Sequence, residues 1–243
     1  MDRLSDLCHG TVVSADGVRL RYAEQGDRDG LPVLLLHGYT DSWRSFEPVL
    51  PHLPASIRAI AITQRGHGGS SKPDAGYRYR DFAGDLAAFM DAKGLGSAVI
   101  VGHSMGSLVA QRFAIDHPQR TAGLVLLGAM PTIKGHPEVQ AFWDTALATL
   151  ADPVAPALAR EFQVSTLARP IAPAMLDTFV AESLRVPARV WQATFREFLE
   201  TDFSGEIGRI AAPTLVVWAD RDGFSRRQER DALAAGIRGA IVT

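Results

Sequence analysis

A serine flanked at two residues on either side by glycine, Gly102-His103-Ser104-Met105-Gly106, follows an apolar run and leads into Ser107-Leu108-Val109-Ala110. A strand running into this turn and a helix leaving it would lift the hydroxyl clear of a sheet edge. The two glycines supply the room that so sharp a bend requires. A hydroxyl held in that way is a nucleophile for acyl transfer. It needs a base to take its proton, a carboxylate to orient that base, and backbone amides to receive the oxyanion. The competing reading is a glycine-flanked turn whose serine merely caps a helix. The strand before and the helix after favour the nucleophile elbow.

Three other segments carry related signals. Leu34-Leu35-Leu36-His37-Gly38-Tyr39 is a strand passing into a tight loop, and Thr63-Gln64-Arg65-Gly66-His67-Gly68-Gly69-Ser70 is a glycine-rich turn after another strand. The second could be read as a dinucleotide loop. Ser71 stands where G-x-G-x-x-G needs its third glycine, and Ser71-Lys72-Pro73-Asp74 opens no helix to hold a pyrophosphate, so the turn is read as structural. Pro213-Thr214-Leu215-Val216-Val217-Trp218-Ala219-Asp220-Arg221-Asp222 is a strand that ends in two aspartates.

Together these motifs resemble the α/β-hydrolase fold family, within it the small capped esterases, lactonases and carbon-carbon bond hydrolases, although Thr63 occupies a position where that family commonly has Asp. The resemblance implies that the backbone N–H groups of Tyr39 and Met105 form the oxyanion hole. It implies that Asp222 is the acid of a catalytic triad, with Asp220 a neighbour that shapes the loop, and that Ser104 is the nucleophile. The family order is Ser, Asp, His, with the histidine after the last strand. All seven histidines, at 9, 37, 52, 67, 103, 117 and 136, precede Asp222, and residues 239–243 read as that last strand. The expectation is therefore a chain truncated before its general base and final helix. The alternative is a natural protein that has lost the triad. Reading the coding sequence past Thr243 separates the two.

The elements that must position these residues follow from the apolar periodicity. Strands are expected at residues 10–14, 18–24, 33–36, 58–62, 98–101, 123–127, 214–219 and 240–242, the first two joined by a hairpin at Ala15-Asp16-Gly17. Phe82, Leu86, Phe89 and Met90 make one helical stripe over residues 81–93. Residues 131–204 hold seven of the 14 prolines but one of the 22 glycines, and helices are expected at 140–150, 174–184 and 188–200. The expected architecture is α/β: a mostly parallel eight-stranded sheet flanked by helices, with residues 1–130 and 205–243 as the core and 131–204 as a helical cap. Cap residues Phe142, Trp143, Phe179, Trp191, Phe195 and Phe198 are cap core or substrate wall. Arg169, Glu182, Arg185 and Arg189 are solvated surface or carboxylate contacts.

Composition bounds the rest. A chain of 243 residues, 47% hydrophobic, can bury a core without disulfides, and the single Cys8 excludes an intramolecular one. A net charge of -2 without a long run of either sign argues against nucleic acid or an anionic membrane as partner. Residues 1–10 build no leader, and no apolar block approaches the roughly 18 residues of a membrane span, so a cytoplasmic protein is expected. No H-E-x-x-H, C-x-x-C or G-x-x-x-x-G-K motif occurs, so neither metal nor cofactor is expected. Serine at the elbow, rather than the Asp that dehalogenases and epoxide hydrolases of this fold place there, points to acyl transfer to water. The expected function is a serine hydrolase of a small apolar ester, thioester or lactone. The rivals are a hydrolase-like binding protein and a carbon-carbon bond hydrolase. Loss of a triad member in serine proteases removes about 10⁴ to 10⁶ of rate. Residues 1–243 are therefore expected to hydrolyse p-nitrophenyl esters very slowly, and robust Ser104-dependent turnover would refute this.

Overall fold

The computed structural model describes residues 7–243, so the leader reading of residues 1–10 falls largely outside the described part. Eight strands form one sheet in the order β1-β2-β4-β3-β5-β6-β7-β8. They are β1 (Cys8–Val13), β2 (Arg19–Gly26), β3 (Leu31–Leu36), β4 (Ile57–Ile62), β5 (Ala98–His103), β6 (Thr121–Leu127), β7 (Thr214–Val217) and β8 (Ile241–Val242). The β1–β2 and β2–β4 pairs are antiparallel, and every pair from β4 to β8 is parallel. The hairpin expected at Asp16-Gly17 is present: Gly17 donates its N–H to the Ser14 carbonyl at 2.9 Å.

Side chains alternate across the sheet, and two apolar layers follow from that period of two. Leu34, Leu36, Ile60 and Ile62 point into the larger core, while Val33, Leu35, Ala59 and Ala61 point into a smaller one with Phe46 and Leu50. The larger core lies under helices α1 (Tyr79–Ala92) and α2 (Met105–Asp116). Helix α1 starts earlier than the apolar stripe alone predicts. Asp81, where the stripe is expected to begin, is its third residue, and its Oδ2 accepts the Arg78 N–H at 2.9 Å.

Between β6 and β7 lie α3 (Pro137–Phe142), a π-helical turn (Trp143–Leu147), α4 (Pro156–Ser165), α5 (Pro173–Leu184) and α6 (Ala188–Glu200). The chain leaves and re-enters the sheet region at one stem. Thr132 bridges Asp202, and Phe203 donates to the Pro131 carbonyl at 2.9 Å. The helix expected at 140–150 is thus an α-helix that widens into a π turn. Helices α4 and α7 (Arg227–Gly236) escape the sequence pattern, α7 because its buried apolar face is little more than Leu233. Among the described residues no helix is long and apolar enough to cross a membrane.

The turns after β3 and β4 are tied together by buried polar groups. His37 Nε2 accepts the Gln64 N–H at 3.0 Å, and Gln64 Nε2 donates to the His37 carbonyl at 2.9 Å. The His67 ring lies 5.0 Å from that of His37, and its Nδ1 meets the Arg65 carbonyl at 2.7 Å. Arg65 in turn grips Asp85 of α1 through two bonds of 2.5 Å, which anchors the turn on the helix. The structural reading of residues 63–70 agrees with these contacts.

Burial pushes the His67 imidazole from 6.5 down to about 4, and burial with the neighbouring His67 holds His37 low as well. A histidine with a depressed folded pKa contributes its full stability above the unfolded value of 6.5. That contribution falls away as pH drops from 6.5 toward 4, because the unfolded chain takes up the proton first. At about 1.36 kcal/mol per pKa unit, His67 alone should remove about 2 kcal/mol between pH 7 and pH 5. Urea unfolding at the two pH values should show that loss, and His67→Gln should flatten it. An unchanged pH slope in the variant would place the sensitivity elsewhere.

Candidate active site

Ser104 stands between β5 and α2 with φ 51° and ψ -118°, a conformation that L residues seldom adopt. Close packing forces it. A β-carbon at Gly102 would lie 2.3 Å from the Gly106 carbonyl oxygen, and one at Gly106 would lie 2.3 Å from the Leu36 carbonyl oxygen. The elbow is pinned from below, since Ser104 donates its N–H to Leu127 of β6 at 3.0 Å and accepts from the Ser107 N–H at 2.8 Å. Only backbone of this bareness lets α2 start so near β3.

The β3–β5 register pairs Leu36 with Gly102, so the loop after β3 arrives beside the elbow. Two amides are free there. Met105 is the first residue of α2, so its N–H has no intrahelical acceptor and sits at the positive end of the helix dipole. The Tyr39 N–H has no acceptor among the described residues. The Tyr39 ring packs edge-on against Phe162 and Trp191, and its hydroxyl donates to the Trp191 carbonyl at 2.7 Å. Burial holds that phenol well above its ordinary range.

Asp222 lies on the loop after β7. Its Oδ1 accepts the N–H groups of Phe224 at 2.9 Å and Ser225 at 2.8 Å, while its Oδ2 sits 3.0 Å from where a Gly128 β-carbon would be. Ser225 Oγ donates to Ala129 at 2.6 Å, and the Trp218 indole donates to Ser225 at 2.7 Å, so the loop is fastened to the end of β6. Asp220, the competing carboxylate, is exposed and does not line the cavity.

These groups meet at a cavity of about 680 Å³, which Tyr39, His103, Ser104, Met105 and Asp222 all line. Phe162, Phe179, Phe195 and Phe198 from the helices between β6 and β7 form much of its apolar wall. Phe142, Trp143 and Trp191 pack into the core instead, so the expected aromatic set divides. None of Arg169, Glu182, Arg185 and Arg189 lines the cavity. Glu182 pairs with Arg185 at 3.3 Å and Arg189 with Asp74 at 3.4 Å. Phe162, Asp41 and Gln163 are cavity residues that the sequence did not single out. Burial raises the Asp41 carboxyl, against the opposing pull of Gln163 and His103.

His103 is the one imidazole that lines the cavity among the described residues. Its Nδ1 lies 3.1 Å from the Gly38 β-carbon position and its Cδ2 3.9 Å from that of Gly128. No histidine among the described residues hydrogen-bonds to Asp222. The described residues also contain no group of three or more His, Cys, Asp or Glu placed to hold a metal.

Residues 32–240 match the family model described as alpha/beta hydrolase fold. A non-heme chloroperoxidase of Streptomyces lividans is 40% identical over 128 residues, 51% of this chain and 46% of its own. The chain therefore spans about half the length of that curated relative. A protein of Variovorax paradoxus (strain S110) that carries the name of a carbamate hydrolase, RutD, is 33% identical over 231 residues, 92% of this chain and 86% of its own. The crystal structure of the esterase RhEst1 from Rhodococcus sp. ECU1013 superposes with a TM-score of 0.83 at 27% identity, over 97% of this chain and 89% of that one. The elbow at Ser104, the strand order around it and the span of the matching family model together make this chain a member of the alpha/beta hydrolase fold family.

Proposed function

We propose that this chain is a serine hydrolase that cleaves a small, largely apolar ester, thioester or lactone through an acyl-enzyme on Ser104. The observation that carries the reading is the left-handed Ser104, whose residue opens onto a cavity shared with Tyr39, Met105 and Asp222. In the first step Ser104 Oγ attacks the carbonyl carbon and gives its proton to an imidazole. The N–H groups of Tyr39 and Met105 hold the oxyanion, each such donor being worth about 2.7 to 4 kcal/mol in comparable sites. The tetrahedral intermediate collapses as the imidazole returns the proton to the leaving group. Water, activated by the same base, then frees the acid.

Asp222 fits the role of orienting that imidazole. Two amides fix one of its oxygens, and the other lies beside Gly128, 3.0 Å from where a β-carbon would be, on the cavity that Ser104 also lines. The base belongs after Asp222 in the Ser, Asp, His order of the fold, and none of the seven histidines here does. Asp220 shapes the loop. Residues 131–204 serve as a lid whose phenylalanines bound the acyl group, and the partner is a small molecule. The carbamate and ester hydrolases among the relatives support acyl transfer as the reaction class.

The rival reading is a hydrolase-like protein that binds a ligand in the same largely apolar cavity without turning it over. A fluorophosphonate probe on the full-length gene product separates the two. Treatment should add one phosphonyl group at Ser104, read by peptide mass spectrometry, and Ser104→Ala should abolish it. Thermal stabilisation by small esters with neither adduct nor turnover would favour the binding protein.

A further inference from the structure

Three consecutive residues of the loop after β3 are each held by a different helix of the 131–204 segment. The Tyr39 hydroxyl donates to the Trp191 carbonyl of α6 at 2.7 Å, Thr40 Oγ1 meets Ser183 Oγ of α5 at 2.9 Å, and Asp41 Oδ1 accepts from Gln163 Nε2 of α4 at 2.9 Å. The last two links are joined. Gln163 Nε2 also donates to Ser183 Oγ at 2.9 Å, so its two protons go to Asp41 and Ser183. Thr40, Ser183 and Gln163 are all buried.

Thr40 has φ 62°, an unfavourable conformation for a β-branched residue that persists only when the surroundings over-determine it. Its hydroxyl is held from outside the loop, by Ser183. The residue before it carries the amide that the proposed reaction uses.

We propose that Ser183 and Gln163 are positioning residues for the oxyanion loop: through Thr40 and Asp41 they fix where the Tyr39 N–H points, so the lid assembles half of the oxyanion hole as it seats on the core. The inference rests on the reading of Ser104 as nucleophile. It distinguishes Ser183 from a residue that only supports the lid, because its loss should weaken binding of a tetrahedral anion far more than binding of a planar neutral ligand. Ser183 does not line the cavity, so it touches neither ligand directly.

The test compares 2-phenylethylboronic acid, which forms a tetrahedral adduct on a serine oxygen, with 3-phenylpropanamide, its planar neutral counterpart. Affinities are measured by calorimetry on the protein and on Ser183→Ala. Boronate affinity should fall at least about 10-fold, since complete loss of one oxyanion donor costs about 10²- to 10³-fold in rate, while amide affinity should stay within about twofold. Thr40→Val, which removes the hydroxyl that Ser183 holds at a residue that is also off the cavity, should shift the ratio in the same direction and serves if Ser183→Ala does not fold. Equal losses for both ligands, or no loss for either, would overturn the proposal while leaving Ser104 as nucleophile. Boronate affinity indifferent to Ser104→Ala would overturn the underlying reading as well.

Discussion

Helix α2 begins closer to strand β3 than a β-carbon allows, and most of the site follows from that approach. With Gly106 pressed on the Leu36 carbonyl and Gly102 on the Gly106 carbonyl, the chain between them has no relaxed path from strand to helix. Ser104 absorbs the turn at φ 51°. Such strain costs on the order of 1 to 3 kcal/mol and needs rigid surroundings. The sheet supplies them, because β5 lies between β3 and β6 and is bonded on both sides. The same approach sets Met105, the first residue of α2, on the cavity and brings the loop at Tyr39 alongside.

A second constraint is the burial of the polar groups beneath that loop. His37 has both ring nitrogens engaged: Nε2 accepts from Gln64, which leaves the proton on Nδ1 to donate to the Gly38 carbonyl at 2.8 Å. The turns after β3 and β4 therefore move as one body, clamped to α1 through Arg65 and Asp85. Burial keeps both imidazoles neutral at pH 7. On the proposed reading, an amide carried by so rigid a base need not reorganise as charge appears on the oxyanion.

The residues that could be read from sequence are those whose local geometry admits few alternatives. Gly102, Gly106 and the apolar run before them specify an elbow because only glycine fits there, and alternating Val33–Leu36 and Ala59–Ile62 specify buried strands on both faces. That the sheet is mostly parallel was legible as periodicity, and that helices follow Met130 as a change in proline and glycine usage. Asp41, Gln163 and Ser183 were not, since each acquires meaning only from a partner distant in the chain: Asp41 and Gln163 are separated by 122 positions. A buried glutamine on α4 looks like any surface glutamine until the loop it reaches is in place. Helix α7 hid for a different reason: a short helix that buries little besides Leu233 and Glu229 leaves almost no apolar stripe to detect.

On the proposed reading, chemistry and shape come from different parts of the chain. Ser104, Met105 and Asp222 belong to the strand ends, whereas Phe162, Phe179, Phe195 and Phe198 come from helices inserted between β6 and β7. On the proposed reading, exchanging one phenylalanine for a smaller residue would enlarge the acyl space without touching the nucleophile, provided the helix keeps its seat. That proviso limits how freely the wall can vary. Helix α6 carries Phe195 and Phe198 on the cavity and, one turn earlier, Trp191, fully buried against Tyr39 and Phe162. Its carbonyl is the acceptor for the Tyr39 hydroxyl, so a repacking that shifted α6 would also shift the loop beside the elbow. Residues facing the ligand on α6 are thus free to change in size only while Trp191, one turn earlier on the same face, keeps its seat against Tyr39.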